Sequence, residues 1–141
     1  MPDVGIHRKG KVNLPKLVKK MMRDKTKIVG AIGCFIGVVR GVSKNGERVR
    51  LLSYEYSDEA VKKLREIATK AEKAPGVERV MIHHVVGSLR PGDEAIYVVV
   101  SGNRRREVFA ALPKIMDRVK KEVPIWKKEV TRTKEYWAHE G

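Results

Sequence analysis

The feature that most limits the fold is an apolar run at residues 28–39, which is interrupted by Gly30, Gly33 and Gly37. A membrane-crossing helix needs about 20 apolar residues, so this run is too short to be one. Its valines and isoleucines favour a β-strand, in which a glycine marks a bend or a close approach of another backbone. The run therefore predicts a buried strand. Because the glycines lie inside a strand, they do not predict a phosphate-binding loop.

The rest of the chain mixes helices and strands without strict alternation. Apolar residues at helical spacing predict helices at residues 13–22, 60–74 and 103–123, with Asn13 and Asn103 as caps. β-Branched runs predict strands at residues 48–56, 79–87 and 95–101, followed by an extended tail after Pro124. The Asn45-Gly46 pair predicts a hairpin that would make the strands on either side of it antiparallel neighbours.

These elements predict an α+β fold. We expect a single domain over residues 1–141, with an antiparallel or mixed sheet and flanking helices. The first residues, 1–11, are expected to be flexible.

Charge narrows the class of partner without selecting one. The chain has 31 Lys and Arg against 17 Asp and Glu, a formal net charge of +14. Such a protein attracts phosphates, nucleic acid, anionic membranes or an acidic protein. The N-terminus lacks the apolar core of a signal peptide, so a cytoplasmic location is expected.

Cysteine and histidine offer little for metal or disulfide chemistry. A single cysteine, Cys34, excludes an internal disulfide and a multi-cysteine zinc site. Cys34 has no basic neighbour in sequence to stabilise a thiolate, so a buried structural thiol is favoured over a persulfide carrier. His83 and His84 would point to opposite faces of a strand and so could not chelate one metal ion. No metal site is predicted.

Basic residues near the third helix are the most informative. Three arginines at residues 104–106 fall in its first turn, where the helix dipole favours an anion, so a bound phosphate would explain them. Lys120 shares a helix face with Met116, and Lys127 follows Pro124 and Trp126, which would hold it rigidly. If Lys120, Lys127 and Arg40 converge, their mutual repulsion favours a neutral lysine that can transfer a proton.

Three stretches, in this order, resemble the large subunit of molybdopterin synthase: FIGVVR at residues 35–40, HHVVGSLRPGDE at 83–94 and KIMDRVKKEVPIWKKE at 114–129. The most specific element is Pro-x-Trp-Lys, whose lysine lies seven residues after another lysine. The resemblance covers nearly the whole chain and implies an α/β-hammerhead-like fold.

The resemblance also implies an activity. The family transfers sulfur to cyclic pyranopterin monophosphate and so forms the dithiolene of molybdopterin, a step in molybdenum cofactor biosynthesis. A small ubiquitin-like subunit supplies each sulfur as a thiocarboxylate on its C-terminal Gly-Gly tail. The large subunit forms a homodimer with a small subunit at each end, a heterotetramer, and no cofactor is implied.

Residue roles follow from the same resemblance. Lys120 matches a lysine that positions the tail and transfers protons, and Lys127 matches a second essential lysine near the substrate's phosphate. The other matching positions imply binding of the substrate, with Arg104 reaching the site from the neighbouring large subunit; they are Arg40, Phe35, Met116, Trp126, Asn103, Arg104 and Arg105.

The chain departs from the family pattern at two places. Asn103 stands where family members carry histidine, and the register of residues 104–106 leaves either Arg104 or Arg105 as the matching arginine. A family arginine that follows the final tryptophan has no counterpart.

Two other functions are compatible with the sequence. A basic nucleic-acid-binding module is suggested by residues 8–27, where only Asp24 opposes the cations. A catalytically inactive scaffold of the same fold is suggested by Asn103 and the missing arginine.

Overall fold

The computed structural model describes residues 2–131 and 135–138. In this part of the chain the helices are α1 (Leu14–Met22), α2 (Ala60–Glu72) and α3 (Arg105–Glu122). The strands are β1 (Asp3–Arg8), β2 (Ala31–Val38), β3 (Val49–Tyr56), β4 (Val77–Leu89), β5 (Glu94–Gly102), β6 (Ile125–Thr131) and β7 (Glu135–Ala138). The predicted elements are present, and residues 132–134 of the predicted tail lie outside the described residues.

One mixed sheet joins the strands in the order β2-β5-β4-β3-β6-β7, with β1 beside β4. The pair β1–β4 is parallel and the other described pairs are antiparallel. The α+β fold with a mixed sheet and flanking helices is therefore confirmed. β5 lies between β2 and β4 and is buried from Ala95 to Gly102, because helices cover both of its faces.

The two helical layers differ in size. α2 and α3 pack on one face of the sheet, where Leu64, Ile67 and Ile115 are at most 2% exposed. α1 packs on the opposite face, where Met21 contacts Met81 and Val99. The predicted cap of α1 is present, since the Asn13 side chain accepts a hydrogen bond from the Lys16 backbone N–H at 3.0 Å.

The prediction that residues 1–11 are flexible is wrong for most of this segment. β1 lies parallel to β4 in a register that runs from Asp3 beside Met81 to Arg8 beside Val86. Val4 and Ile6 pack against the main core. Their alternation with smaller or polar residues is a strand pattern, but it is too short to stand out in the sequence.

The prediction that β2 and β3 are neighbours is also wrong. Asn45-Gly46 does form a tight turn, with Gly46 at φ +81°, but the turn closes only a bridge between Val42 and Arg48. β2 then pairs with β5, whereas β3 pairs with β4 and β6. Two strands that are buried on both faces thus separate β2 from β3, an arrangement that a local turn signal cannot specify.

α3 begins one residue later than its predicted cap implies. Arg104 occupies the N-cap position and makes no side-chain cap bond, so the prediction of Asn103 as the cap is wrong. The Asn103 backbone N–H instead donates to the Gly76 carbonyl at 2.8 Å, which ties the start of α3 to the loop before β4. No described helix is long and apolar enough to cross a membrane.

Candidate functional site

A pocket of about 300 Å³ lies between β2 and α3. Gly33 allows the helix to approach the strand, because a Cβ atom there would lie 2.6 Å from Val108 Cγ1 and 3.2 Å from Leu112 Cδ1. The glycine in the apolar run thus marks a close approach, as predicted, but by a helix. The pocket is lined by Cys34, Phe35, Leu112, Pro113, Met116, Asp117 and Lys120.

The walls of this pocket are mostly apolar, and its charged groups share one edge. Phe35 is 37% exposed, whereas Met116 is buried at 9% exposed, so Phe35 presents most of the open apolar surface of the two. Asp117 and Lys120 are exposed and lie one turn apart on α3. A flat ring could lie against the apolar walls while its polar substituents meet the charged edge.

Three predicted site residues therefore meet in one place: Phe35, Met116 and Lys120. The spacing of Met116 and Lys120 on one helix face predicted their proximity, and Phe35 joins them from β2. Sequence reasoning did not include Asp117 and Leu112, although their positions on α3 relative to Lys120 were a usable signal.

Lys127 and Trp126 lie on β6, outside the residues that line this pocket. Two residues separate the end of α3 from the start of β6, and Lys127 pairs with Tyr54 of β3 and Ala138 of β7. Lys127 is half-buried, whereas Trp126 is 51% exposed. Since successive residues of a strand point to opposite faces, the two side chains cannot line one wall together.

Arg40 follows the end of β2 and is exposed. It does not line the pocket either. The neighbouring Val39 anchors this segment, because its backbone N–H donates to the Asp93 carbonyl and its carbonyl accepts from the Gly92 N–H, both at 2.9 Å. Arg40 is thereby fixed beside the turn between β4 and β5.

A second cavity, of about 580 Å³, lies at the N-terminus of α3. It is lined by Gly30, Arg104, Arg105, Arg106 and Glu107. The three guanidinium groups and the unpaired helix N–H groups make it attractive to anions, while Glu107 opposes them. Asn103 is exposed next to it and is not among the lining residues.

Cys34 corrects another expectation. The thiol was predicted to be buried and structural, but it is exposed and lines the β2–α3 pocket. The prediction failed because β2 is at the edge of the sheet, where an apolar sequence does not ensure burial. Partial desolvation raises the pKa of the Cys34 thiol, so the thiol is protonated at neutral pH and is a weak nucleophile.

Comparison with known proteins decides the family. The family model described as MoaE protein matches residues 7–122. The chain belongs to the MoaE family. It is 42% identical over 109 residues to the molybdopterin synthase catalytic subunit of Pyrococcus abyssi, an alignment covering 77% of this chain and 73% of the relative. A probable molybdopterin synthase of Haloferax volcanii is 38% identical over 132 residues, covering 92% of this chain, which spans 51% of that relative.

Solved structures agree with this assignment. The crystal structure of molybdopterin synthase from Staphylococcus aureus matches with a TM-score of 0.83 at 28% identity, covering 95% of this chain and 96% of that one. The complex of subunits 1 and 2 of molybdopterin-converting factor from Helicobacter pylori shares the fold, with a TM-score of 0.73, 24% identity and coverage of 97% and 90%.

One further cluster in this MoaE-family chain lies away from both cavities. His83 is buried, with Nδ1 at 2.8 Å from His7 Nε2 and Nε2 at 3.0 Å from Asp3 Oδ1, and Asp3 also accepts a hydrogen bond from Lys20. Burial lowers the pKa of His83 although Asp3 opposes that effect, so a neutral ring is favoured at pH 7. Within the described residues, no three Asp, Glu, His or Cys side chains form a metal site.

Proposed function

We propose that this chain is the catalytic subunit of a molybdopterin synthase. In this role it transfers sulfur from the C-terminal thiocarboxylate of a small ubiquitin-like subunit to cyclic pyranopterin monophosphate, giving the molybdopterin dithiolene. The observation that carries the proposal is the β2–α3 pocket, in which Lys120 meets Phe35 and Met116. Membership of the MoaE family and the names of its relatives support the same activity.

The pocket suits the first task, which is to hold substrate and sulfur donor together. Its apolar walls provide a surface for the pterin ring, and Lys120 at the edge provides a cation for the thiocarboxylate and for proton transfer. The sulfur comes from the partner, so no nucleophilic cysteine is required. The protonated state of Cys34 at neutral pH is consistent with that division.

Lys127 and Arg40 are proposed to act on the phosphate side of the substrate. Lys127 lies seven residues after Lys120, and only Val123 and Pro124 separate α3 from β6. β2 runs along α3 in the same direction, since Gly33 faces Val108 whereas Phe35 shares the pocket with Lys120. Arg40, two positions after the end of β2, therefore lies towards the same end of α3 as both lysines. Cations there would stabilise the charge that develops as the cyclic phosphate opens.

We propose a homodimer because, within one chain, the arginines at the start of α3 lie far from Lys120. Arg104 and Lys120 are 16 positions apart, about 24 Å along α3 at 1.5 Å per residue. The arginines therefore cannot serve the pocket of their own chain, but those of a second copy can. β2 supports the same idea, because it is an edge strand with Phe35, Ile36 and Val38 at least 37% exposed. With one small subunit on each copy, the assembly is a heterotetramer.

We also propose that a single domain carries the activity, in the cytoplasm and without a cofactor. Asn103 is placed beside Arg104 and Arg105 as a neutral group where the family carries histidine.

Reconstitution tests the activity directly. The purified chain is mixed with thiocarboxylated small subunit and cyclic pyranopterin monophosphate, and dithiolene product is measured. Wild type should turn over, while Lys120→Ala and Lys127→Ala should each lose about 100-fold or more, as expected for groups that act in the transition state. Lys121→Ala is the matched control, because Lys121 is exposed and adjacent to Lys120 but does not line the pocket. The proposal fails if wild type makes no product, or if the control loses as much as the test variants.

A further inference from the structure

Asp117 is the acidic side chain among the residues described as lining the β2–α3 pocket. It lies one helical turn before Lys120 and one position after Met116, so its carboxylate stands at the pocket edge. Neither the sequence nor the proposed function assigns a role to Asp117.

The carboxylate of Asp117 has no partner within the chain as described. It takes part in no hydrogen bond or ion pair there, although the protein carries 31 Lys and Arg. Some other surface acids do have a partner: Glu122, also on α3, binds Arg118 at 2.6 Å, and Asp93 binds Lys9 at 2.7 Å. An unpaired carboxylate at the edge of a pocket is available to a ligand.

The chemistry of a carboxylate limits what that ligand offers. An ionised carboxylate only accepts hydrogen bonds, and its two oxygens suit a pair of parallel N–H donors. It repels a phosphate. A pterin has one edge of this kind, formed by its 2-amino group and the adjacent ring N–H, and its phosphate lies at the other end of the molecule.

We propose that Asp117 is a specificity-determining residue that accepts hydrogen bonds from the amino-pyrimidinone edge of the pterin. This inference rests on the proposed function. The ring lies on Phe35 and Met116, its N–H edge meets Asp117, and its phosphate end is directed away from that carboxylate. Ring orientation is thus set by one acceptor group on the same helix that carries Lys120.

The direction in which Asp117→Asn changes KM shows whether the carboxylate binds the substrate. With a recognising carboxylate, Asp117→Asn should raise KM for cyclic pyranopterin monophosphate about 10- to 100-fold, the effect of losing hydrogen bonds to a charged group, with kcat within about threefold. If the carboxylate makes no hydrogen bond to the substrate, removal of its negative charge should lower KM, because the substrate is an anion. Asp58→Asn is the control, because it removes the same charge at an exposed position just before α2.

A ligand comparison tests the contact itself and needs no sulfur donor. Fluorescence titration gives dissociation constants for pterin and for lumazine, whose 2-oxo group replaces the 2-amino donor. Wild type should prefer pterin by about tenfold or more, and Asp117→Asn should lose that preference while Asp117→Glu keeps part of it. Equal preference in wild type and Asp117→Asn overturns the inference, as does a loss confined to kcat. If wild type neither binds pterin nor forms product, the proposed function fails instead.

Discussion

In the proposed function, the two ends of α3 carry different parts of one binding task. The C-terminal end forms a pocket with apolar walls from Phe35, Leu112 and Met116, and its charged lining residues are one acid and one lysine. The N-terminal end carries three arginines around a cavity whose described lining includes no large apolar side chain. One end offers a surface for a ring and the other offers charge for an anion. A substrate with both a flat ring and a phosphate needs both ends, yet a rigid helix holds them about 24 Å apart.

This comparison predicts that inactive variants can rescue each other. Lys120→Ala and Arg104→Ala should each be nearly inactive alone. When co-expressed at equal levels, about half of the dimers contain one copy of each, and half of their sites are intact, so activity should return to about a quarter of wild type. Product formation per dimer measures this, and Arg105→Ala is tested in the same way because either arginine fits.

The control pair for this experiment is Lys120→Ala with Lys127→Ala. Both lysines belong to the same end of α3 in one chain, so every site in a mixed dimer lacks one of them and activity should not return. Equal rescue by both pairs, or by neither, would show that the two ends of α3 do not combine across copies.

The close packing of α3 on β2 can be tested by adding a single Cβ atom at Gly33. In Gly33→Ala the added Cβ would lie 2.6 Å from Val108 Cγ1, which forces the helix or the side chain to shift. We expect the free energy of unfolding to fall by about 1–3 kcal/mol, the usual cost of overpacking, with a parallel loss of turnover because Leu112 lines the pocket. Urea unfolding with turnover assays measures both.

Gly41→Ala serves as the comparison for Gly33→Ala. Its Cβ would lie 3.6 Å from Pro91 Cβ, an ordinary contact, so the free energy of unfolding should change by less than about 0.5 kcal/mol. Equal stability of the two variants would mean that α3 does not rest closely on β2.

Cys34→Ala should have the smallest effect. The side chain is exposed and the thiol is protonated at neutral pH, so turnover should stay within about twofold of wild type. Reconstitution with thiocarboxylated partner measures this. Loss of turnover with unchanged folding would instead show that the Cys34 side chain contributes to binding or to the reaction in the β2–α3 pocket.

Local patterns in the sequence predicted the helices, most strands and the shared face of Met116 and Lys120. They did not predict which strands pair, because β2 pairs with β5, which is distant in the sequence, and not with the strand that follows the Asn45-Gly46 turn. They also misplaced Cys34, since an edge strand and a central strand read alike in sequence. Trp126 and Lys127 could have been assigned to opposite faces from strand alternation alone.

The position of β1 has a consequence for synthesis of the protein. Asp3 pairs with Met81, 78 positions later in the chain. At about 5–20 residues per second, a ribosome takes roughly 4 to 16 s to produce that partner. During this time Val4 and Ile6 have no strand to join, so β1 can enter the sheet only after β2, β3 and part of β4 have been synthesised.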